Sequence, residues 1–220
     1  MSDLIRPASS PCLACDIAAE ARQTALDVAR WRQAERARLL GERRSMSAQR
    51  LAEVSAALGS AMVAALDARF PDRRGLILSG FWPIKGEPDL RAPLATLIRD
   101  GVILALPVVA RPKAPLIFRP WVPGMAMRRG IWNIPEPDTE ATIWPDAALA
   151  PVVGWTSDGY RLGYGGGYFD RTLADAKTRP YTLGVGLASA QLDTIFPQPH
   201  DIPLDLILTE TGAAGCVGKF

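Results

Sequence analysis

The segment RLGYGGGYFDR, residues 161–171, constrains the fold of this 220-residue chain more than any other stretch. Four of the chain's 19 glycines fall within five positions here, between Gly163 and Gly167. Glycine allows backbone conformations that other residues avoid, so neighbouring amides can point inward and form an anion-binding concavity. A helical pattern follows directly, from Tyr168 to about Lys177, and the positive end of its dipole would point at the same place. The segment is therefore either a flexible turn or a phosphate-binding loop.

The side chains around these glycines favour the phosphate-binding loop. Arg161 and Arg171 bracket the segment with fixed positive charge that suits phosphate oxygens. Asp170 adds a carboxylate where a magnesium ion beside a phosphate would need one. The segment lacks the Gly-Lys-Ser/Thr ending of a Walker loop and the spacing of the dinucleotide fingerprint. We therefore predict a phosphate site of another kind.

Composition and charge are those of an ordinary globular protein, with enough chain for one domain and its core. Lys and Arg exceed Asp and Glu by 25 − 23 = +2, which is too small an excess to indicate nucleic acid or a membrane surface. No stretch approaches the roughly 18 apolar residues of a membrane span, and the first residues lack the apolar core of a signal peptide. We expect a cytoplasmic monomer with neither nucleic acid nor membrane as a partner.

Cys12 and Cys15 form a Cys-x-x-Cys pair near the N-terminus. With Cys216 and His200 they could supply four zinc ligands, but the chain has no second close pair. No strand precedes the pair, as a thioredoxin-type redox site would require. We interpret them as reduced cysteines within a flexible tail, residues 1–15.

The rest of the chain alternates helix and strand after a helical N-terminal segment, residues 16–69. That segment is predicted to break near Gly41, and Ser47 is predicted to cap an amphipathic helix that ends near Arg69. Such alternation is typical of a mainly parallel sheet with helices on both faces, here as a single domain over residues 16–215. Further helices are predicted at 88–100, 168–177 and 189–195, strands at 75–81, 102–109, 149–154, 182–188 and 204–209, an edge strand within 112–123, and a loop at 123–146.

Three other motifs place polar or aromatic side chains in loops. FWPIKGE ends on Glu87, which could accept two N–H bonds from an amidine-like ring edge or could cap the next helix. IWNIPEP contains Trp132, which could stack on a flat heterocycle or fill a gap in the core. PHDIPLD contains Asp201, which could be a second ligand of a hard metal ion or could cap a turn.

Taken in order, PIKGE, WNIPEP, RLGYGGGYFDR and PHDIPLD resemble the 5-formyltetrahydrofolate cyclo-ligase family from about residue 30 to residue 210. The resemblance implies an α/β fold, a Rossmann-like three-layer α/β/α sandwich with a mainly parallel central sheet. It also implies conversion of 5-formyltetrahydrofolate to 5,10-methenyltetrahydrofolate with ATP and Mg²⁺, by phosphorylation of the formyl oxygen and ring closure through N10. The alternative is a non-catalytic nucleotide- or RNA-binding relative of the same fold.

The resemblance also implies roles for individual residues. Arg161 and Tyr168 are expected to be catalytic, and Asp170 and Asp201 to hold Mg²⁺. The residues expected to bind folate are Glu87, Trp132, Tyr164, Gly165, Gly166, Gly167 and Tyr168. Those expected to bind ATP are Arg32, Arg36, Arg161, Leu162, Gly163, Tyr164, Gly165, Gly166, Gly167, Tyr168 and Phe169. Where the family usually has a Lys and an Arg four residues apart, this chain has Arg32 and Arg36, which keep the charge but change its geometry.

Overall fold

The structure, a computed structural model, describes residues 13–216. Their contacts divide the chain into two compact units at the boundary between Glu35 and Arg36. Helix α1, Leu13–Ser45, crosses that boundary. Cys12, most of the predicted tail and the side chains of Cys15 and Cys216 lie outside the described part of the chain. The single domain over residues 16–215 therefore stays a prediction.

The helices follow the predicted pattern with two differences. α1 continues through Gly41 without the predicted break, and the third helix begins at Arg91 because the loop that contains Glu87 ends just before it. Ser47 caps the second helix as predicted, since its hydroxyl accepts a hydrogen bond from the amide of Arg50 at 3.1 Å. The three helices after α1 are α2 Ala48–Arg69, α3 Arg91–Leu97 and α4 Tyr168–Asp175.

A seven-stranded sheet forms the centre of the larger unit, together with two small hairpin sheets. The described strands are β1 Ile77–Ser79, β2 Ile103–Val108, β3 Ile117–Pro120, β4 Met127–Arg129, β5 Pro135–Pro137, β6 Ala147–Pro151, β7 Gly154–Trp155, β8 Arg161–Leu162, β9 Tyr181–Val185, β10 Leu206–Thr209 and β11 Gly212–Cys216. The order in the large sheet is β11-β10-β9-β6-β1-β2-β3. Its five inner strands are parallel, and β3 and β11 pair antiparallel at its two edges.

Apolar side chains cover both faces of this sheet. Leu104 and Leu106 of β2 belong to the main buried cluster, which includes α2 and α3. Ala105, which points to the opposite face, packs with Phe118 and with the side chain of Phe169 on α4. The predicted sandwich of a parallel sheet between helices is therefore confirmed.

Helix α2 is the one described helix that is long and apolar enough to cross a membrane by length and composition, contrary to the expectation from sequence. A core helix passes the same test, so this is weak evidence for a membrane. Its large apolar residues at spacings of four, Val54, Leu58, Met62 and Leu66, are buried, and the helix packs against β10, β11 and α3.

The predicted short helix at 189–195 is wrong. Only a 3₁₀ turn forms, at Ala188–Ala190. The next residues pair with β7, because Gln191 bridges Trp155 and the amide of Leu192 donates to the carbonyl of Trp155 at 2.8 Å. The small hairpins β4–β5 and β7–β8 and the edge strand β11 were not predicted.

Candidate active site

Glu87 lies beyond the carboxyl end of β1, where ligands bind on parallel sheets of this kind. Lys85 and Gly86 both adopt positive φ, at 50° and 77°, and this tight turn folds Glu87 back over its own loop. One carboxylate oxygen, Oε2, accepts a hydrogen bond from the amide of Ile84 at 2.8 Å, and Glu87 is only 4% exposed. The amide of Arg91, the first residue of α3, donates to Asp89 Oδ1 at 3.0 Å and not to Glu87, so the alternative interpretation of Glu87 as a helix cap is wrong.

The second oxygen of Glu87 connects this loop to the glycine segment. Oε1 accepts a hydrogen bond from the Tyr164 hydroxyl at 2.6 Å. The same hydroxyl accepts a short hydrogen bond from the Arg43 guanidinium, and the Lys85 ammonium lies 5.0 Å from the centre of the Tyr164 ring. Two segments that are 77 residues apart in sequence therefore meet at one carboxyl group.

Burial governs the titration of both partners. It raises the pKa of Glu87, against the opposing effects of the hydrogen bonds from Tyr164 and Ile84 and of the charges on Arg43 and Lys85. Burial and the adjacent Glu87 also raise the pKa of Tyr164 well above its usual range, so the phenol remains a proton donor at neutral pH.

The glycine segment adopts the left-handed conformations that its composition predicts. Gly165 has φ = 90°, and Gly167, the residue before α4, has φ = 63°. Two arginines hold the carbonyls of the loop: Arg36 Nε donates to Gly163 O and an Arg171 Nη donates to Gly166 O, each at 2.6 Å. Within the described chain, the amides of residues 164–167 donate to no other group. This arrangement leaves the amide face of the loop available to an anion.

The predicted acidic pair lies beside Arg161. One Arg161 Nη contacts Asp170 Oδ1 at 2.7 Å and another donates to the carbonyl of Ile202 at 2.6 Å. Asp170 Oδ1 also accepts from the amide of Ile202 at 3.1 Å, which places Asp170 next to the residue after Asp201. Burial lowers the pKa of Arg161, and the nearby charges of Asp170 and then Asp201 oppose that effect.

Asp201 caps a turn, which was the alternative interpretation of this residue. Its Oδ2 accepts from the amide of Gln198 at 2.7 Å. The described residues contain no group of three or more His, Cys, Asp or Glu side chains able to hold a metal ion. Asp170 and Asp201 would therefore need further oxygen ligands to hold Mg²⁺, such as those of water or phosphate. This fits magnesium, which usually keeps several waters and shares phosphate oxygens.

Trp132 is not a packing residue, since it is 63% exposed. Both Trp132 and Asn133 adopt the left-handed conformation, at φ = 57° and 61°. The indole meets the ring of Tyr168 edge to face, with the ring centroids 5.4 Å apart, and the Arg171 guanidinium lies 4.7 Å from the centre of the Tyr168 ring. The predicted folate aromatic and the predicted catalytic tyrosine are therefore in contact.

The remaining residues that were predicted to bind ATP lie in different surroundings from one another. Leu162 is 1% exposed, so only its backbone could reach a ligand, and the ring of Phe169 lies 5.6 Å from the Arg161 guanidinium. Arg32 belongs to the smaller unit, and the other predicted residues belong to the larger one. Sequence reasoning missed Arg43. It lies two helical turns after Arg36 and so on the same face of α1, which is a signal that the sequence does contain.

Comparison with known proteins gives a consistent result. A model of the 5-formyltetrahydrofolate cyclo-ligase family matches residues 28–210. The chain is 32% identical over 148 residues to the 5-formyltetrahydrofolate cyclo-ligase of Mycolicibacterium smegmatis, covering 61% of this chain and 76% of that protein. It is 33% identical over 140 residues to the Escherichia coli K12 enzyme of the same name, covering 59% and 75%.

Solved structures show the same fold. The 5,10-methenyltetrahydrofolate synthetase of Aquifex aeolicus is similar with a TM-score of 0.67 and 25% identity, over 86% of this chain and 94% of that one. The synthetase of Mycoplasma pneumoniae is similar with a TM-score of 0.65 and 23% identity, over 81% and 98%. The predicted resemblance is thus confirmed, and the chain belongs to the 5-formyltetrahydrofolate cyclo-ligase family of ligases.

Proposed function

We propose that this chain closes 5-formyltetrahydrofolate to 5,10-methenyltetrahydrofolate at the expense of ATP, with Mg²⁺ bound beside the phosphates. The observation that carries the proposal is the hydrogen bond between Tyr164 and Glu87. It joins a loop with free amides, suited to phosphate, to a buried carboxylate suited to the amino and amide N–H groups of a pterin ring. A phosphate donor and a folate bound at these two places would be neighbours.

The chemistry requires activation of a poor leaving group. The formyl oxygen attacks the γ-phosphorus, the bond between that phosphorus and ADP breaks, and the oxygen becomes part of a phosphate ester. N10 then attacks the formyl carbon, the carbon–oxygen bond breaks with release of phosphate, and N10 loses its proton. Residues of this chain contribute by positioning and by charge, and no covalent enzyme intermediate is needed.

Several residues have defined parts in this scheme. The amides of residues 164–167 would hold phosphate oxygens, and Trp132 and Tyr168 would together line one side of the flat folate ring. Asp170 and Asp201 would hold Mg²⁺, which when bound neutralises charge on the transferring phosphoryl group. Two N–H groups of Arg161 contact protein groups. A guanidinium has five N–H donors, so others would be left to contact a phosphate oxygen.

An absorbance assay tests the proposal. Purified protein is mixed with 5-formyltetrahydrofolate, ATP and Mg²⁺, and the methenyl-folate band is followed, with matched reactions that omit ATP or the protein. We expect the band to grow only in the complete mixture. Nucleotide binding without any growth of the band would contradict the proposal and favour a non-catalytic binding protein.

A further inference from the structure

Arg43 lies behind the proposed folate acid and is 5% exposed. Its Nε donates to the carbonyl of Lys85 at 3.3 Å, and one Nη donates to the carbonyl of Val152 at 3.4 Å. The other Nη donates to the Tyr164 hydroxyl. One side chain therefore ties the last turn of α1 to the Glu87 loop, to the end of β6 and to the glycine segment.

The hydrogen-bond chemistry of Arg43 fixes the direction of its neighbour. A guanidinium only donates, so the Tyr164 oxygen must accept from Arg43, and its single proton is directed to Glu87 Oε1. The other oxygen of Glu87 accepts from the amide of Ile84. Both oxygens therefore accept from protein donors, an arrangement that favours the ionised carboxylate.

A count of acceptor sites indicates which ligand edge fits. An ionised carboxylate has about four lone-pair sites, two on each oxygen. Tyr164 uses one site on Oε1 and Ile84 uses one on Oε2. One acceptor site remains on each oxygen, a pair that matches two adjacent N–H donors on one edge of a ring.

We propose that Arg43 is a positioning residue for folate binding, which acts through the Tyr164 hydroxyl to keep Glu87 ionised and ready to accept two adjacent ring N–H groups. This inference rests on the proposed function and deepens it. It defines the recognised edge as a cyclic amidine with two donors, and it assigns a role to a residue of α1 outside the predicted site.

The charges around Glu87 give the direction of the expected effect. The groups that face it are Arg43 from α1, Lys85 from its own loop and Tyr164 from the glycine segment. Burial raises the pKa of Glu87, while the Tyr164 hydrogen bond and the two positive charges lower it. Without Arg43 one charge is lost and the hydroxyl can turn away, so Glu87 takes up a proton at higher pH. Folate binding should then fail earlier as the pH falls.

The experiment measures the dissociation constant of 5-formyltetrahydrofolate across a pH series for wild type, Arg43→Met, Tyr164→Phe and the double variant. Folate binding is lost around a midpoint pH as the solution is acidified. We expect each single variant to raise this midpoint by about one pH unit, so that between the wild-type and variant midpoints the variant binds up to about tenfold more weakly than wild type. The double variant should shift the midpoint by less than the sum of the two single shifts, because Arg43 acts in part through Tyr164. Arg44→Met is the matched control, since Arg44 is the next residue of α1 and is exposed.

The outcomes separate this inference from the function on which it rests. An unchanged midpoint in folded Arg43→Met, or additive shifts in the double variant, would overturn the role of Arg43 while the folate site stands. If Arg43→Met does not fold, Tyr164→Phe decides, because it keeps both carbonyl contacts of Arg43. Wild type that binds no folate at any pH would overturn the proposed function and this inference together.

Discussion

At the residue scale, the two carboxylates Glu87 and Asp170 have different surroundings, and we therefore propose different roles for them. Glu87 is buried and accepts from neutral donors, with positive charge at a distance. Asp170 is in direct contact with a buried guanidinium at 2.7 Å and has a side chain that is 20% exposed. The surroundings of Glu87 suit recognition of a neutral ring edge, and those of Asp170 suit a position beside a metal ion and phosphate groups.

Glu87→Gln tests the recognition role. The substitution keeps the size of the side chain, but it removes the charge and places an NH₂ group against a donor, either the Ile84 amide or the Tyr164 hydroxyl. We expect a loss of about 2–4 kcal/mol in affinity for 5-formyltetrahydrofolate and little change for ATP. Paired titrations with the two ligands measure this, with the exposed Glu53→Gln as control. Unchanged folate affinity would leave Glu87 with a role only in its own loop.

Asp170→Asn tests the proposed role of Asp170 as a ligand of Mg²⁺. The amide oxygen of Asn can still accept from Arg161 and from the amide of Ile202, so local structure should survive while the charge is lost. We expect turnover to fall steeply and folate binding to stay nearly intact, since a lost metal ligand removes several kcal/mol of transition-state stabilisation. Steady-state kinetics at saturating Mg²⁺ provide the measurement, with the exposed Asp175→Asn at the other end of α4 as control. A kcat of Asp170→Asn equal to that of wild type would refute the assignment of Asp170 as a ligand of Mg²⁺.

At the scale of elements, the sequence predicts what depends on local pattern and misses what depends on distant partners. The period of apolar residues and the cap at Ser47 predict α2 because both are local. The hairpin β4–β5 is not predictable in this way. Its side chain Glu136 accepts from Arg119 of β3 and from Arg128 of β4, each at 3.0 Å. The ion pair between Glu136 and Arg119 of β3 ties this hairpin to another element. Such a contact between elements is not visible in the strand propensity of the hairpin's own residues.

The same distinction applies to the candidate site. The glycine segment could be predicted because left-handed turns require glycine, and the positive φ at Gly165 and Gly167 agrees with that reason. Arg43 shares a helix face with Arg36, but this alone could not single it out, because α1 is rich in arginine and the sequence does not show which arginine is buried beside Tyr164. The contact between Tyr164 and Glu87 is likewise a result of tertiary structure alone.

Gly167→Ala tests the turn before α4. At φ = 63° a β-carbon is strained, and it would lie 2.9 Å from an Arg171 Nη. We expect a loss of about 1–2 kcal/mol in the free energy of unfolding. Gly163→Ala is the matched comparison, because a β-carbon there meets nothing within 4 Å. Denaturant unfolding of both variants checks this, and equal stabilities would show that the turn tolerates a side chain.

At the scale of the whole molecule, the parallel sheet explains why distant segments converge. The loops after β1 and β6 leave the same edge of the sheet, so Glu87 and Val152 both lie within reach of Arg43. The sequence predicts this edge as the ligand-binding side once it predicts a parallel sheet. The order of the strands and the antiparallel edges depend on long-range pairing, which local patterns do not contain.

The buried charge of Glu87 should be visible in global stability. Its pKa is raised in the folded protein above the ordinary value of 4.5, so the folded state binds this proton more tightly than the unfolded state. Stability relative to Glu87→Gln is therefore greatest below pH 4.5 and falls as the pH rises through the folded pKa. Unfolding free energies of both proteins across this range measure the difference. A difference that stays constant with pH would contradict the raised pKa.

The strained backbone at Trp132 and Asn133 affects the conformational entropy that is lost when a ligand binds. Left-handed backbone at residues other than glycine costs about 1–3 kcal/mol each, a cost that the surrounding structure must offset. The carbonyl of Asn133 accepts from Arg129 at 3.0 Å, and Gly130 donates to the carbonyl of Ile134 at 2.9 Å. These bonds fix the backbone of this turn, and the indole itself contacts the ring of Tyr168. A ligand that stacks on the indole would therefore meet a side chain whose backbone is already ordered, and this would reduce the conformational entropy lost on binding.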